Sequence, residues 1–258
     1  MPRFAANLTM LFTELPFLDR FEAAAKAGFK GVEFLFPYPF AKDDIAVRLR
    51  DFALTPVLHN LPAGDWDAGE RGIAILAGRE AEFRAGVPRA IEYASALGCA
   101  QVNCLVGIAP KDATDARLRA TLVENLRFGA DALAKAGIRL LIEPINTLDI
   151  PGFYLNRTRQ AAALIEEVGS SNLFIQYDIY HMQIMEGDLA RTIEAHLPKI
   201  AHLQLADNPG RHEPGTGEIN YPFLYGHLDR IGYSGWIGCE YKPRASTLAG
   251  LDWFSPAA

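Results

Sequence analysis

Four short segments of this 258-residue chain end an apolar run on an oxygen-bearing side chain. They are LLIE at 140–143, FIQYD at 174–178, HLQ at 202–204 and GCE at 238–240. The residues delivered are Glu143, Asp178, Gln204 and Glu240. A single carboxylate at a strand end is ordinary, because it usually faces a loop or an ion pair. Four in succession along the chain form a pattern. Three carboxylates crowded into a partly buried place repel one another, and they stay there only with a cation or with shared protons. Oxygen-dominated ligation with one neutral carbonyl suits a hard or borderline divalent ion, Mg²⁺ first and Mn²⁺ second. A histidine in such a set would turn the preference toward zinc.

A divalent ion flanked by two glutamates suits proton transfer beside a carbonyl. The ion would bind the two oxygens of an α-hydroxy carbonyl compound and stabilise its enediolate. One glutamate would remove a carbon-bound proton, and the other would return one at the neighbouring carbon. Glu143 and Glu240 read as that acid/base pair. Each also reads as a metal ligand with Asp178 and Gln204, so each has to loosen its metal bond to act as a base.

Other polar residues stand near these. PVLHN (56–60) brings His59 to the end of an apolar run, as a structural neighbour rather than a ligand. His181, three residues past Asp178, suits a substrate contact. Arg211 could clamp a carboxylate bidentately. Trp66 lies in NLPAGDWDAGERGIAILAG (60–78), a connection long enough to act as a lid or binding element. Substrate contact is the role assigned to His59, His181, Arg211 and Trp66. His202, two residues before Gln204, shares its strand face one layer deeper and reads as a core histidine. His196 and His227 read as helix-surface residues, and Asp207 as a loop cap. Asn146 and Asp149 either meet substrate hydroxyls or turn the chain.

The elements that must position these side chains are legible from a recurring junction. KAGFKGVEFLF, ALGCAQVNCLV, KAGIRLLIEPI and RIGYSGWIGCEY each close a helical pattern at a glycine and enter an apolar run. EEVGSSNLFIQYD is a looser fifth copy. Before the third junction, Leu118, Leu122, Leu126 and Leu133 share one stripe at 3.6 residues per turn. Phe17, Phe21 and Ala24 share a face after Pro16. Strands are expected at 3–8, 31–35, 55–60, 101–106, 138–143, 173–178, 200–205 and 235–240, with helices between and after them. Eight such units in about 250 residues predict an α/β fold, a single (β/α)8 barrel over residues 1–258. In a barrel the strand ends converge on one face, which would gather the four oxygen-bearing residues. An open doubly wound sheet usually carries a G-x-G-x-x-G turn, and the chain has none.

Composition narrows the partners. A net charge of −6 disfavours nucleic acid and anionic membranes. Cys99, Cys104 and Cys239 lack metal-site spacing and read as buried free thiols of a cytoplasmic protein. Asn7, Thr9 and Glu14 interrupt the N-terminal apolar residues, which makes a poor signal peptide. No apolar run reaches membrane-spanning length.

The chain resembles the hydroxypyruvate isomerase family, within the xylose isomerase-like barrels. The resemblance rests on HNLPAGDWDAGERGIA, VNCLVG, LLIEPINTLDIPGF, IQYDIYHMQ, LADNPGRHEPGTGEINY and GWIGCEYKP. It implies interconversion of hydroxypyruvate and tartronate semialdehyde, with Glu143 and Glu240 moving protons. It also implies a metal on Glu143, Asp178, Gln204 and Glu240. A sister group, the 2-oxo-tetronate isomerases, shares the beginning and the GCEYKP end; HNLPAGDW and EPINTLDIPGF favour the three-carbon substrate. Ketose 3-epimerases on the same barrel are the next alternative. An endonuclease IV-type nuclease would need more rim histidines and a basic face, and a binding-only barrel would show no proton exchange. The partners this reading allows are a small hydroxy-oxo acid and a homo-oligomer, with no nucleic acid and no membrane.

Overall fold

Eight strands close into one parallel barrel in chain order, β1 pairing with both β2 and β8. The computed structural model describes residues 2–254. The strands are β1 (Arg3–Asn7), β2 (Gly31–Glu33), β3 (Thr55–Asn60), β4 (Gln101–Cys104), β5 (Arg139–Ile142), β6 (Leu173–Asp178), β7 (Ile200–Leu205) and β8 (Trp236–Cys239). Each falls within its expected window. The helices are α1 (Arg20–Lys26), α2 (Lys42–Asp51), α3 (Glu80–Leu97), α4 (Asp115–Lys135), α5 (Thr158–Val168), α6 (Ile179–Met185), α7 (Leu189–His196) and α8 (Tyr221–Arg230).

Most of the apolar core lies between the strands and the helices. On α4 the leucine stripe is fully used, since Leu118, Leu122, Leu126 and Leu133 are all buried. Each such side chain contributes roughly 1.5–3 kcal/mol by leaving water. A smaller cluster of Ala5, Val57, Leu58 and Leu141, packed with Phe174 and Trp236, is separate from it and fills the barrel's interior. Toward the C-terminal ends of the strands the buried residues turn polar: Asn7, Glu33, Asn103, Glu143, Gln176, Asp178 and Gln204 are at most 4% exposed.

Two expectations are corrected. No α-helix follows β8 among the described residues; a 3-10 turn, Leu248–Gly250, takes its place. The chain then packs rings against the barrel, with Phe254 stacked on Phe29 at 4.3 Å and Trp253 edge-on to Phe4 at 5.2 Å. His227 is buried rather than exposed, because it shares the inner face of α8 with Leu224 and Leu228. Its ring bonds the Ala190 carbonyl at 3.0 Å. The three cysteines are buried free thiols, as expected.

Candidate active site

Strand alternation delivers the carboxylates. On β5, Leu140 and Ile142 belong to the outer core and Leu141 to the barrel interior. Glu143, two residues after Leu141, therefore turns inward. The start of that strand is set by Gly137, whose φ of +71° closes α4 while the Ile138 N–H returns to the Leu133 carbonyl. On β6, Tyr177 joins the outer core and Asp178 comes inside. Asp178 also caps α6, its Oδ1 accepting from the backbone N–H groups of Tyr180 (2.7 Å) and His181 (3.2 Å). The cap holds His181 beside the same cavity, about one turn along.

Glu143, Asp178, His181 and Glu240 each offer one atom to a group within 4.8 Å, and all four are buried. Burial raises the Glu143 carboxyl well above its usual range, and Glu240 and Asp178 push it further. Burial likewise raises Asp178 to about 6. It lifts Glu240 to about 8, against the pull of Arg211. Groups so placed cannot all be ionised without a cation. Asp178 Oδ2 is buried with no hydrogen-bond partner, an unclaimed acceptor inside the cluster. The residues present therefore fit a divalent ion. Gln204, the register partner of Asp178, lines the same cavity of about 590 Å³.

His181 enters this group in a defined orientation. Asn146 Oδ1 accepts from the N–H groups of Leu148 (3.0 Å) and Asp149 (2.7 Å), so its amide nitrogen faces His181 Nδ1 at 2.6 Å. Nδ1 must then accept, and the proton sits on Nε2. Nε2 lies 3.7 Å from Asp178 Oδ2 and 3.9 Å from Glu143 Oε1. Burial lowers the imidazole's pKa well below normal, aided by Arg211, which keeps it neutral. In this tautomer His181 offers the cavity an N–H rather than a lone pair. Asn146 thus turns the chain and sets this tautomer together.

The loops supply the cations. Arg211 sits in the left-handed region at φ +54°, a backbone cost of roughly 1 kcal/mol for a residue other than glycine. Its Nη2 donates to Glu240 Oε2 at 2.6 Å, and Nη1 lies 3.7 Å from Asp149. Burial alone would lower its pKa; Glu240, Asp178, Glu143 and Asp149 outweigh that and raise it. Asp207 caps the loop as expected, accepting from Asn208, Gly215 and Ile219 N–H groups. In the β3–α3 loop, Trp66 packs against Phe36 at 5.0 Å and lines the cavity. Arg71 covers the Trp66 ring at 3.9 Å and donates to the Trp66 and Glu70 carbonyls.

His59 is not brought to this cavity. It is fully buried on the opposite face of β3 from Leu58 and Asn60, which do line it. Its ring lies parallel to Phe34 at 6.5 Å, and Nδ1 bonds the Asn60 carbonyl at 3.1 Å. His202 is a core histidine one layer below Gln204, with Nε2 2.7 Å from Glu33 Oε2. Glu33 itself was not among the expected site residues, nor were Asn7, Gln176, Arg71 and Lys242, all of which line the cavity. The signal for Glu33 lies in GVEFLF, another apolar run carrying a carboxylate, masked by the apolar residues that follow.

Residues 21–257 match the model of the xylose isomerase-like TIM barrel family. The chain belongs to that family. Among its full-length relatives is hydroxypyruvate isomerase of Escherichia coli (strain K12), 58% identical over 256 residues, with 99% of each chain covered. A 2-oxo-tetronate isomerase of Cupriavidus necator is 53% identical over 256 residues, covering 99% of this chain and 98% of its own. A crystal structure of an AP endonuclease, family 2, from Brucella melitensis superposes with a TM-score of 0.97 at 50% identity, with 99% of each chain covered. These relatives therefore carry both isomerase and nuclease names. Among the described residues, no helix is long and apolar enough to cross a membrane.

Proposed function

We propose that this chain interconverts hydroxypyruvate and tartronate semialdehyde (2-hydroxy-3-oxopropanoate). The observation that carries this reading is the pair Glu143 and Glu240, buried in one cluster and each raised by burial and by neighbouring carboxylates. Full-length identity to a hydroxypyruvate isomerase supports the choice of substrate.

Glu143, Asp178, Gln204 and Glu240 would hold a divalent ion, Mg²⁺ or Mn²⁺. When bound, the ion supplies Lewis-acid polarisation of the oxygens between which the substrate shuttles its charge. Every other step falls to the chain. One glutamate takes a proton from C3 of hydroxypyruvate, leaving an enediolate across C2 and C3. The other delivers a proton to C2, while the C3 hydroxyl proton passes to the C2 oxygen, so that C3 becomes the aldehyde and C2 carries the hydroxyl. A glutamate whose pKa is raised toward neutrality is well matched to both halves of that exchange. His181 donates its Nε2–H to a substrate oxygen. Arg211 holds the Glu240 carboxylate in place through its 2.6 Å contact. Trp66 and Arg71 close the mouth and shed water from the reacting carbons. The free thiols support residence in the cytoplasm, and the closed barrel supports one domain over residues 1–258.

Proton NMR of hydroxypyruvate with the protein in deuterated water tests this directly. The CH₂ resonance should disappear as the aldehyde appears with deuterium at C2. Chelator should stop the reaction and Mg²⁺ restore it. No turnover of hydroxypyruvate would sink the reading. A second reading, a four-carbon 2-oxo-tetronate substrate, is favoured by the 53% relative and by a cavity with room for the longer acid. Parallel assays on that acid and on free ketohexoses distinguish it and a ketose 3-epimerase from the first.

A further inference from the structure

We propose that Glu33 is a positioning residue that fixes which way the Gln204 carboxamide points. Glu33 closes β2 and is completely buried. Its Oε1 accepts from Gln204 Nε2 at 2.7 Å and from Asn7 Nδ2 at 2.9 Å. Its Oε2 lies 2.7 Å from His202 Nε2. Three nitrogens thus converge on one side chain, and the two amide N–H groups aimed at Oε1 fix that oxygen as an acceptor.

The consequence for Gln204 follows from that one-sidedness. Turning its amide by half a turn would set the carbonyl oxygen against Glu33 Oε1 at the same short distance, acceptor to acceptor. Glu33 therefore holds Nε2 down and leaves Gln204 Oε1 on the far side. There Oε1 accepts from Gln176 Nε2 at 2.6 Å and retains a second lone pair. Polarity set at Glu33 is passed along the row: Gln176, having given its N–H, keeps its own Oε1 buried and unpartnered. The seat is built for this side chain. A Cβ added to Gly238 would fall 2.3 Å from both Glu33 oxygens, so the glycine of the GCE segment makes room for Glu33. Asn7 ties the device to the cluster, donating also to Glu240 Oε1 at 3.2 Å.

The inference rests on the reading that Gln204 helps to hold a divalent ion. Glu33 then acts on that ion through the amide and never touches it. A neutral carbonyl binds a cation only when it points at it; an amide free to flip offers its N–H₂ half the time and must be ordered on binding. Partners that orient metal ligands typically change affinity by roughly 10- to 100-fold when removed.

The test is Mn²⁺ binding by metal-free protein, read by calorimetry, in a cycle of Glu33→Gln and Gln204→Leu. Glu33→Gln keeps the shape but can donate, so the Gln204 amide loses its fixed direction. With Gln204 present, Glu33→Gln should weaken Mn²⁺ binding about tenfold or more; in the Gln204→Leu background it should change binding less than twofold. Loss of affinity by the same factor in both backgrounds, or none in either, overturns the proposal. If Gln204→Leu abolishes binding, the side-chain amide resonances of Gln204 decide. Mg²⁺ at a fixed concentration below saturation should shift them in the wild type and much less in Glu33→Gln; equal shifts overturn it. If Glu33→Gln does not fold, Glu33→Asp enters the same cycle, judged by the same outcomes. A wild-type protein that binds no Mn²⁺ would instead overturn the metal reading itself, so the two failures are distinct.

Discussion

On β3, β5 and β6 the last two buried residues part company across the barrel wall. Asn60, Glu143 and Asp178 turn inward; His59, Ile142 and Tyr177 turn toward the helices. Both faces bury ionisable groups, but under different conditions. On the outer side each stands alone. Burial drops His59 to about 4 and lifts Cys99 and Cys104 to about 12, so all three stay neutral, each bonded to a backbone carbonyl rather than to an ion. On the inner side burial acts together with crowding: Glu240 and Asp178 raise Glu143, and Asp178 and Glu33 raise Glu240. A solitary buried group answers desolvation by losing its charge. A crowded set can recover its charge by taking up a cation, and its proton affinity becomes adjustable. That difference separates a wall that only has to be stable from a wall that can do chemistry.

The sharpest way to break the contrast is to neutralise one inner carboxylate without changing its shape. Glu143→Gln and Glu240→Gln should each lower kcat by roughly 10²- to 10⁴-fold, the usual worth of a positioned acid or base. Thermal unfolding should show both variants folded, since the amide keeps each side chain's shape and at position 240 can still accept from Arg211. Near wild-type turnover in either, measured by the NMR assay on hydroxypyruvate, would rule out the two-glutamate scheme.

The complementary change strikes the apolar floor below the carboxylates. Leu141 is fully buried among Ala5, Val57 and Leu58, two residues before Glu143 on the same face. Leu141→Ala should cost about 2–5 kcal/mol in urea unfolding. At a temperature where the variant remains folded, kcat should stay within about tenfold of wild type. A loss of turnover as deep as that of Glu143→Gln, with little loss of stability, would mean that the floor takes part in the chemistry.

How much of this was legible depended on whether a residue's neighbours spoke for it. Glu143, Asp178, Gln204 and Glu240 each end an apolar run, and the structure places all four around one cavity or its cluster. Glu33 sits in an equivalent place on β2, but Phe34, Leu35 and Phe36 continue the run and hide the strand's end. The position of His59 near the end of β3 suggests the site; strand parity argues otherwise. Asn60 is the last residue of that strand, so the one before it faces outward, as Ile142 does before Glu143. The polarity of His227 suggests the surface, although it lies three residues from Leu224 on a buried helical face. The β8 glycine could be read as a strand residue, but its need to admit Glu33 is a three-dimensional fact.

The outer face can be tested through its lone histidine. His59 is neutral in the fold with a pKa near 4, against about 6.5 in an unfolded chain. Between those values the unfolded state binds more protons, so stability is fully present above pH 6.5 and falls as pH drops toward 4. The loss between pH 7 and pH 5 should be about 2 kcal/mol. His59→Leu should remove that part of the slope, whatever it does to absolute stability. Urea unfolding of both proteins at the two pH values checks it. An unchanged slope would mean that His59 takes up its proton in the folded protein, and the outer face would no longer be a place of solitary neutral groups.

The smallest effect should come from the rim, where the inner face meets the substrate's own charge. Arg211 is engaged by Glu240 and Asp149. Arg71 pairs with no carboxylate among the described residues; it is held over Trp66 by two backbone carbonyls and lines the cavity. An acidic lumen needs such an unclaimed cation to receive a carboxylate substrate. Arg71→Met should raise KM for hydroxypyruvate about tenfold, roughly 1.4 kcal/mol of uniform binding, and leave kcat within about twofold. Arg71→Lys should recover part of the loss, since it restores the charge without the planar fork. Steady-state kinetics separate the outcomes. A fall in kcat at constant KM would move Arg71 from binding the substrate to the chemical step, and the boundary between rim and reacting cluster would have to be drawn farther out.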